Sequence, residues 1–137
     1  MAALSPEVKA LIDRPNFVHF ATLMPDGSPH AAPVWVGREG DRVVISTSDA
    51  SLKGKNTKRD PRVALSIVDL NNPYEEAQIR GRIVERRPDP DLKMLDVTSH
   101  KYTGKPFPMR GHDQVALIIE VEKVRYAKLP FQHTPPK

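Results

Sequence analysis

The sequence predicts a mainly β protein, built as an antiparallel barrel of about six strands with short accessory helices. Six segments show the two-residue alternation or the apolar character of strands, and tight-turn signals separate most of them. The helical patterns are short and lie mostly where the chain crosses from one strand to another, which is typical of barrels with accessory helices. The 137 residues suit one domain, 1–137, whose residues 128–137 are predicted to form an extended C-terminal arm.

The first half of the chain is predicted to form one helix and three strands. Ser5 followed by a proline is typical of a helix start. The strands are expected at about 17–24, 30–36 and 42–47. Turn signals at 25–28 and 38–41 separate them. If the first of these turns has two residues, the numbers of paired residues add to 53, and His19 lies opposite Val34.

The second half is predicted to form two helices and three further strands. The strands are expected at about 62–69, 76–87 and 114–126. Ser51 caps a polar helix at about 52–59, and Gly81 inside the fifth strand indicates a bulge or the close approach of another group. The last helix opens at 89–91 and carries on one side Leu92, Leu95, Ser99 and Tyr102.

The composition excludes several classes of protein. The chain contains no cysteine, which excludes disulfides, thiolate metal sites and a cysteine nucleophile. No apolar run approaches the roughly 20 residues that a membrane span needs. The N-terminus also lacks the pattern of a signal peptide. We therefore expect a soluble cytoplasmic protein without a membrane span.

The familiar catalytic motifs are also missing from the sequence. It contains neither a dinucleotide-binding Gly-x-Gly-x-x-Gly nor a phosphate-binding P-loop. It has no nucleophile elbow of the Gly-x-Ser-x-Gly type, and its five histidines do not fall at metal-ligand spacing. We expect neither a metal site nor a catalytic side-chain pair.

Positive charge is concentrated in one segment. The net charge of the chain is +4, and residues 53–62 hold five lysines and arginines against one aspartate. Such a cluster attracts an anionic partner, either nucleic acid or a phosphorylated small molecule, or is simply a solvated helix face. Nucleic acid is disfavoured because residues 36–73 contain no aromatic side chain on which bases could stack.

The predicted corner between the third strand and the polar helix has the chemistry of a phosphate site. Amides at a helix start, hydroxyls and two ammonium groups could together hold the anion, supplied by Thr47, Ser48, Ser51, Lys53 and Lys55. Gly54 would let a ligand approach the backbone closely. The alternative is a capped surface helix, since on a regular helix side chains two residues apart diverge.

Five segments in order carry a resemblance to a known family. They are 26–35, 44–48, 51–56, 59–65 and 78–81. With these intervals the chain resembles the split β-barrel flavin and deazaflavin oxidoreductases, a superfamily that includes the pyridoxamine 5'-phosphate oxidases. The resemblance covers about 5–127 and is strongest to the actinobacterial F420-dependent reductases (FDOR-B type). It implies a six-stranded FMN-binding split barrel.

The resemblance also implies a homodimer with a cofactor at the subunit interface. The implied cofactor is coenzyme F420, an 8-hydroxy-5-deazaflavin, with FMN as the alternative. Leu52 and Trp35 stand where FMN oxidases favour basic residues, which supports the deazaflavin. The residues that match family positions around the cofactor are Pro33, Val34, Trp35, Ser46, Thr47, Ser48, Lys53, Lys55, Asn56 and Tyr102, with Gln78 and Ile79 contributed by the neighbouring subunit.

The implied activity is hydride transfer from the reduced deazaflavin to a small conjugated substrate, such as a quinone, an enone or a tetrapyrrole. Two alternatives are an FMN-dependent oxidoreductase of the same fold and a non-catalytic protein that binds cofactor or another lipophilic ligand. In this chemistry the protein mainly orients the ring and the substrate in a water-poor pocket. A lone strand tryptophan such as Trp35 is otherwise most often a core residue.

Overall fold

A single antiparallel sheet with three helices around it makes up the computed structural model, which describes residues 2–111 and 113–137. The elements found there are α1 (Pro6–Asp13), β1 (Val18–Leu23), β2 (Pro29–Val34), β3 (Gly37–Glu39), β4 (Arg42–Ser48), α2 (Leu52–Arg59), β5 (Arg62–Asp69), β6 (Asn72–Pro88), α3 (Lys93–Thr103) and β7 (Gln114–Lys128). None of these helices is long and apolar enough to cross a membrane. The mainly β class and the antiparallel pairing are confirmed.

The described residues form seven strands rather than the six predicted, in the order β2-β1-β5-β6-β7-β4-β3. The additional strand is β3, which pairs with the start of β4 from Gly37 opposite Val44 to Glu39 opposite Arg42. The turn predicted at 38–41 is therefore shorter, and Gly40 supplies the positive φ of 59° that it needs. Three residues are too few to show an alternation, so this strand left no pattern in the sequence.

The sheet is not closed, but its two edges lie next to each other in the sequence. β2 and β3 are the edge strands, and only Trp35 and Val36 separate them. Three peptide steps span at most about 11 Å, so the sheet must curl until its edges nearly meet. The structure is thus a barrel with one gap, and the link Trp35–Val36 crosses that gap.

The first hairpin has a different register from the predicted one. Leu23 pairs with Pro29, so paired numbers add to 52, and His19 lies opposite Pro33 instead of Val34. The loop has three residues, closed by a hydrogen bond of 2.8 Å from the Met24 N–H to the Ser28 carbonyl. The last residue of this loop is Gly27, whose φ of 86° is the left-handed conformation that a three-residue hairpin loop requires.

Two helices show how short side chains fix helix starts. The Ser5 hydroxyl accepts a hydrogen bond from the Val8 N–H, as predicted for the start of α1. α3 begins at Lys93, later than predicted, because Leu92 adopts a left-handed conformation. The Asp89 carboxylate accepts hydrogen bonds from the first amides of this helix and thereby replaces a neighbouring cap.

The core lies inside the curled sheet and is closed by α1. Its largest fully buried side chains include Phe20, Leu11, Ile12, Ile45 and Leu117. Each such side chain stabilises the fold by roughly 1.5–3 kcal/mol through burial. Gly81 lies where β6 changes register against β7, and a β-carbon there would sit 2.2 Å from the Glu120 carbonyl oxygen. Both the predicted bulge and the predicted close approach are found at this glycine.

The last nine residues, 129–137, form no helix or strand. The Leu129 N–H donates to the Tyr74 carbonyl at 2.9 Å, and the Phe131 ring lies 5.4 Å from the Tyr74 ring. The segment therefore contacts the beginning of β6.

Candidate functional site

A cleft of about 340 Å³ lies beside the gap of the barrel, between the ends of β2 and β4, the start of α2 and one side of α3. We call it the Trp35 cleft. It brings together these residues predicted from the sequence: Pro33, Val34, Trp35, Ser46, Thr47, Ser48 and Lys53. Its remaining lining residues are Phe17, Leu95, Thr98, Phe107 and Gln114.

One end of the cleft is positively charged. Lys53 is half-buried, and no carboxylate among the described residues pairs with its ammonium group. The described residues of the lining include no aspartate or glutamate. Lys53 also stands in the first turn of α2, where backbone amides have no partner within the helix. A phosphate placed here would gain a charge-assisted contact and the favourable end of the helix dipole.

The hydroxyl groups near Lys53 are mostly used in hydrogen bonds within the corner between β4 and α2. Thr47 Oγ1 and Ser51 Oγ are 2.8 Å apart, and Ser51 Oγ accepts from the Gly54 N–H. The Ser48 hydroxyl donates to the Asp113 carboxylate, which helps to hold the pKa of that carboxyl below its usual value. Among the described residues no partner is found for the Ser46 hydroxyl, which is thus the hydroxyl best available to a ligand.

Gly54 is needed for a different reason from the predicted one. A β-carbon at this position would lie 2.6 Å from the carbonyl oxygens of Ser48 and Asp49. The group that approaches Gly54 closely is therefore the strand–helix corner of the same chain rather than a ligand. The glycine allows α2 to pack directly against the end of β4.

Arg86 of β6 holds this corner together and was not found by the sequence analysis. Its guanidinium donates to Asp49 Oδ1 at 2.7 Å, to the Gly54 carbonyl at 3.0 Å and to Thr57 Oγ1 at 2.8 Å. Asp49 also accepts from Lys58 at 2.7 Å, and these two cations keep the pKa of its carboxyl low. Arg86 lies 32 residues from Gly54 in the chain, so no local pattern could reveal the contact.

Two other predicted residues of α2 lie outside the cleft. Lys55 points into solvent on the far side of the regular helix. Asn56 is 1% exposed, donates to Thr22 Oγ1 at 3.0 Å and accepts from Arg59 at 2.6 Å. These bonds anchor α2 to β1.

The other end of the cleft is aromatic. The Trp35 ring is stacked on the Tyr102 ring, with a centroid distance of 5.1 Å and an angle of 7°. Phe107 meets Trp35 edge-on at 6.0 Å. Tyr102 is not among the described residues that line the cleft, and its ring supports the indole by stacking on it. Trp35 is consequently a cavity wall rather than a member of the main core.

Gln78 and Ile79 are not brought to this cleft within one chain. Gln78 is exposed on the outer face of the sheet, whereas the Ile79 side chain is buried in the core. Both contribute to a separate hollow of about 690 Å³ on that face, which is floored by small side chains and edged by Arg80, Lys123 and Arg125.

Among the described residues, the cleft offers binding groups but no acid–base pair. Lys53 is the one ionisable side chain that this part of the chain contributes to the lining. Within the described residues, no three histidine, aspartate or glutamate side chains are placed to hold a metal ion. A cation at one end and flat aromatic rings at the other fit a ligand that joins a phosphate to a planar ring. The residues present therefore suit a flavin or deazaflavin cofactor.

Comparison with known proteins agrees with this geometry. The family description "Pyridoxamine 5'-phosphate oxidase" matches residues 4–128. The chain is similar to an F420 reductase, with 27% sequence identity, a TM-score of 0.79, and coverage of 85% of this chain and 94% of that one. No curated protein matches the chain.

Two further solved structures share the fold. A conserved hypothetical protein from Mycobacterium tuberculosis has 22% identity and a TM-score of 0.79, over 99% of this chain and 94% of that one. A putative pyridoxamine 5'-phosphate oxidase from Listeria innocua has 18% identity and a TM-score of 0.67, over 85% and 92%. The chain belongs to the pyridoxamine 5'-phosphate oxidase family, in the split-barrel superfamily of flavin and deazaflavin oxidoreductases.

Proposed function

We propose that the protein is an oxidoreductase that uses coenzyme F420 to reduce a small conjugated substrate such as a quinone, an enone or a tetrapyrrole-like compound. The observation that carries the proposal is the two-ended Trp35 cleft, with an unpaired cation at Lys53 and an aromatic wall at Trp35. When bound, the reduced coenzyme supplies a hydride to the substrate, whose carbanion or alkoxide then takes a proton from solvent.

The side chains of the cleft bind the cofactor and orient its ring. Lys53 and the first amides of α2 hold the phosphate, and Ser46 offers its hydroxyl beside them. The backbone from Pro33 to Trp35 borders the ring. Phe17, Leu95 and Phe107 exclude water from that end of the cleft, which strengthens every polar contact within it.

The deazaflavin is preferred to FMN because the cleft offers its phosphate a single side-chain cation. Leu52, next to Lys53, is 43% exposed and apolar at the position where FMN oxidases of this superfamily favour a basic residue. The 27% identity with an F420 reductase supports the same choice.

A second copy of the chain completes the site in this proposal. Gln78 lies on the outer sheet face, at the hollow whose floor is formed by small side chains, Ala21, Ala31, Ala64 and Ser66. Small side chains of this kind allow a second sheet to approach closely. We place the homodimer interface there, so that the Gln78 strand of one copy lies against the cofactor ring of the other. The domain spans 1–137, and its C-terminal arm contacts the beginning of β6 in the same chain.

Parallel fluorescence titrations with F420 and with FMN test the proposal on three proteins: the wild type, Lys53→Met and Lys55→Met. We expect tighter binding of F420 by the wild type. Loss of the Lys53 contact should weaken that binding about ten- to hundredfold, the equivalent of roughly 1.5–3 kcal/mol. Lys55→Met is the matched control, because this lysine carries the same charge two residues away but faces solvent, and its effect should stay within about threefold.

Equal losses of F420 affinity in the two variants would mean that the basic cluster at 53–62 is only a solvated helix face. Equal or tighter binding of FMN would replace the deazaflavin by FMN. A quinone and enone screen with the reduced coenzyme then measures turnover, and tight binding without any turnover would identify a cofactor-binding protein instead.

A further inference from the structure

The link that crosses the barrel gap is held by two consecutive residues of α3. Val36 lies outside both edge strands, so its backbone groups have no partner in the sheet. Its N–H donates to the Tyr102 hydroxyl at 3.1 Å, and its carbonyl accepts from the Lys101 ammonium group. Both polar groups of this buried peptide segment are thus satisfied by side chains of α3.

The same two side chains connect the link to the region around α1. The Tyr102 hydroxyl donates to the Asn16 carbonyl, and Lys101 Nζ donates to the Ile12 carbonyl at 2.7 Å. The ammonium group also lies 4.8 Å from the centroid of the Tyr102 ring. α3 therefore joins the link to the end of α1 and the residues that follow it.

The position of this network has a direct consequence for the neighbouring indole. Trp35 precedes Val36, and its ring lies flat against the Tyr102 ring. The hydroxyl of Tyr102 fixes the backbone beside the indole, while its ring fixes the indole plane. Lys101 restrains the same backbone from its carbonyl side.

We propose that Lys101 and Tyr102 are positioning residues that set the orientation of Trp35 in the cleft and thereby the binding of a planar ring against it. The part that concerns the indole depends on the structure of the free protein alone. The part that concerns ring binding rests on the proposed function.

Trp35 makes the inference directly measurable because it is the only tryptophan in the chain. Intrinsic fluorescence, its quenching by acrylamide and near-ultraviolet circular dichroism all report on this one indole. The test variants are Tyr102→Phe, which keeps the ring but removes the hydroxyl, and Lys101→Met, which keeps the apolar stem. Tyr74→Phe and Lys105→Met are matched controls at positions outside the cleft lining.

We expect both test variants to shift the Trp35 emission to longer wavelengths and to make the indole more accessible to acrylamide well below the unfolding temperature, with no such change in the controls. A merely structural role would lower the unfolding temperature and leave these native-state signals unchanged. That outcome in both variants would overturn the proposal. Tyr102→Phe is conservative enough to decide the question even if Lys101→Met does not fold.

Titration with F420 tests the second part. Tyr102→Phe should weaken binding about tenfold, because it removes the hydroxyl whose two hydrogen bonds orient the wall of the site, although Tyr102 is not among the described residues that line the cleft. A shifted emission with unchanged affinity would overturn the connection between the indole and the ligand. If the wild type binds neither F420 nor FMN, the proposed function fails, while the emission results still decide whether Lys101 and Tyr102 position Trp35.

Discussion

The α-carbon of Gly54 faces the carbonyl oxygen of Ser48 so closely that a β-carbon would lie 2.6 Å from it. The carbonyl oxygens of Ser48 and Asp49 are backbone atoms. They cannot move aside as the end of a flexible side chain could. The contact sets the distance between the end of β4 and the start of α2. It therefore also sets where Lys53 stands in the Trp35 cleft.

Gly54→Ala should accordingly destabilise the protein by roughly 1–3 kcal/mol, because the added methyl group forces the helix away from the strand. The same displacement should weaken binding of F420. Urea unfolding measures the first effect and a fluorescence titration the second. Gly37→Ala is the matched control, since its β-carbon would meet only Thr98 Oγ1 at an ordinary 3.6 Å. Equal stability of the two variants would contradict the argument.

Ala64→Glu should separate the proposed dimer into monomers. Ala64 lies in the floor of the hollow on the outer face, and a glutamate there would oppose Arg80 on the neighbouring strand, a pairing that keeps the single chain folded. Two such carboxylates brought into the interface would be desolvated, which is costly. Analytical ultracentrifugation should show a dimeric wild type and a monomeric, folded variant with weaker cofactor binding. Ala3→Glu, exposed and outside that face, should remain dimeric; a monomeric wild type would refute the composite site.

Lys101 should give the protein a pH dependence in the alkaline range. Burial lowers the pKa of its ammonium group from 10.5 to about 8, against the opposing effect of the Asp13 carboxylate. Between these two values the folded protein has released the proton while the unfolded chain still holds it. Stability from this group must therefore rise with pH across that window.

The measurement compares wild type with Lys101→Met in urea from about pH 7 to about pH 10. The difference in unfolding free energy, wild type minus variant, should increase with pH. The charged groups that face Lys101 do not titrate in this pH range, because Arg38 keeps the pKa of Asp13 low and Asp13 keeps the pKa of Arg38 high. Burial also raises the pKa of Tyr102. If the unfolding free energies of the two proteins vary with pH in parallel, the prediction for Lys101 is wrong.

The sequence predicted those elements whose signals are local. Ser5 with its proline, the polar helix after Ser51 and the glycine of β6 each combine a residue type with its immediate neighbours, and all three were confirmed. The strand β3 was missed because three residues carry no period. The hairpin register was wrong by one because loop length, which fixes it, is ambiguous around a single glycine.

The candidate site was predictable to the extent that its residues lie in three short segments of chain. The segments around Pro33, Thr47 and Lys53 do meet in one cleft. Arg86 could not be anticipated, since it reaches the strand–helix corner from a distant strand. Asn56 has a residue type common in binding sites, yet its amide is used to anchor a helix in the interior.

The two-residue link between β2 and β3 also affects how copies of this chain can associate. Exposed strand edges are templates on which other chains add strands and aggregate. Here both edges lie at the same gap, and each is poorly suited to that use. Pro29 and Pro33 of β2 lack the N–H that a new strand would need, and β3 offers only three residues. Strand addition is thus discouraged at both edges of the sheet, which leaves its broad surface as the face available to the proposed dimer.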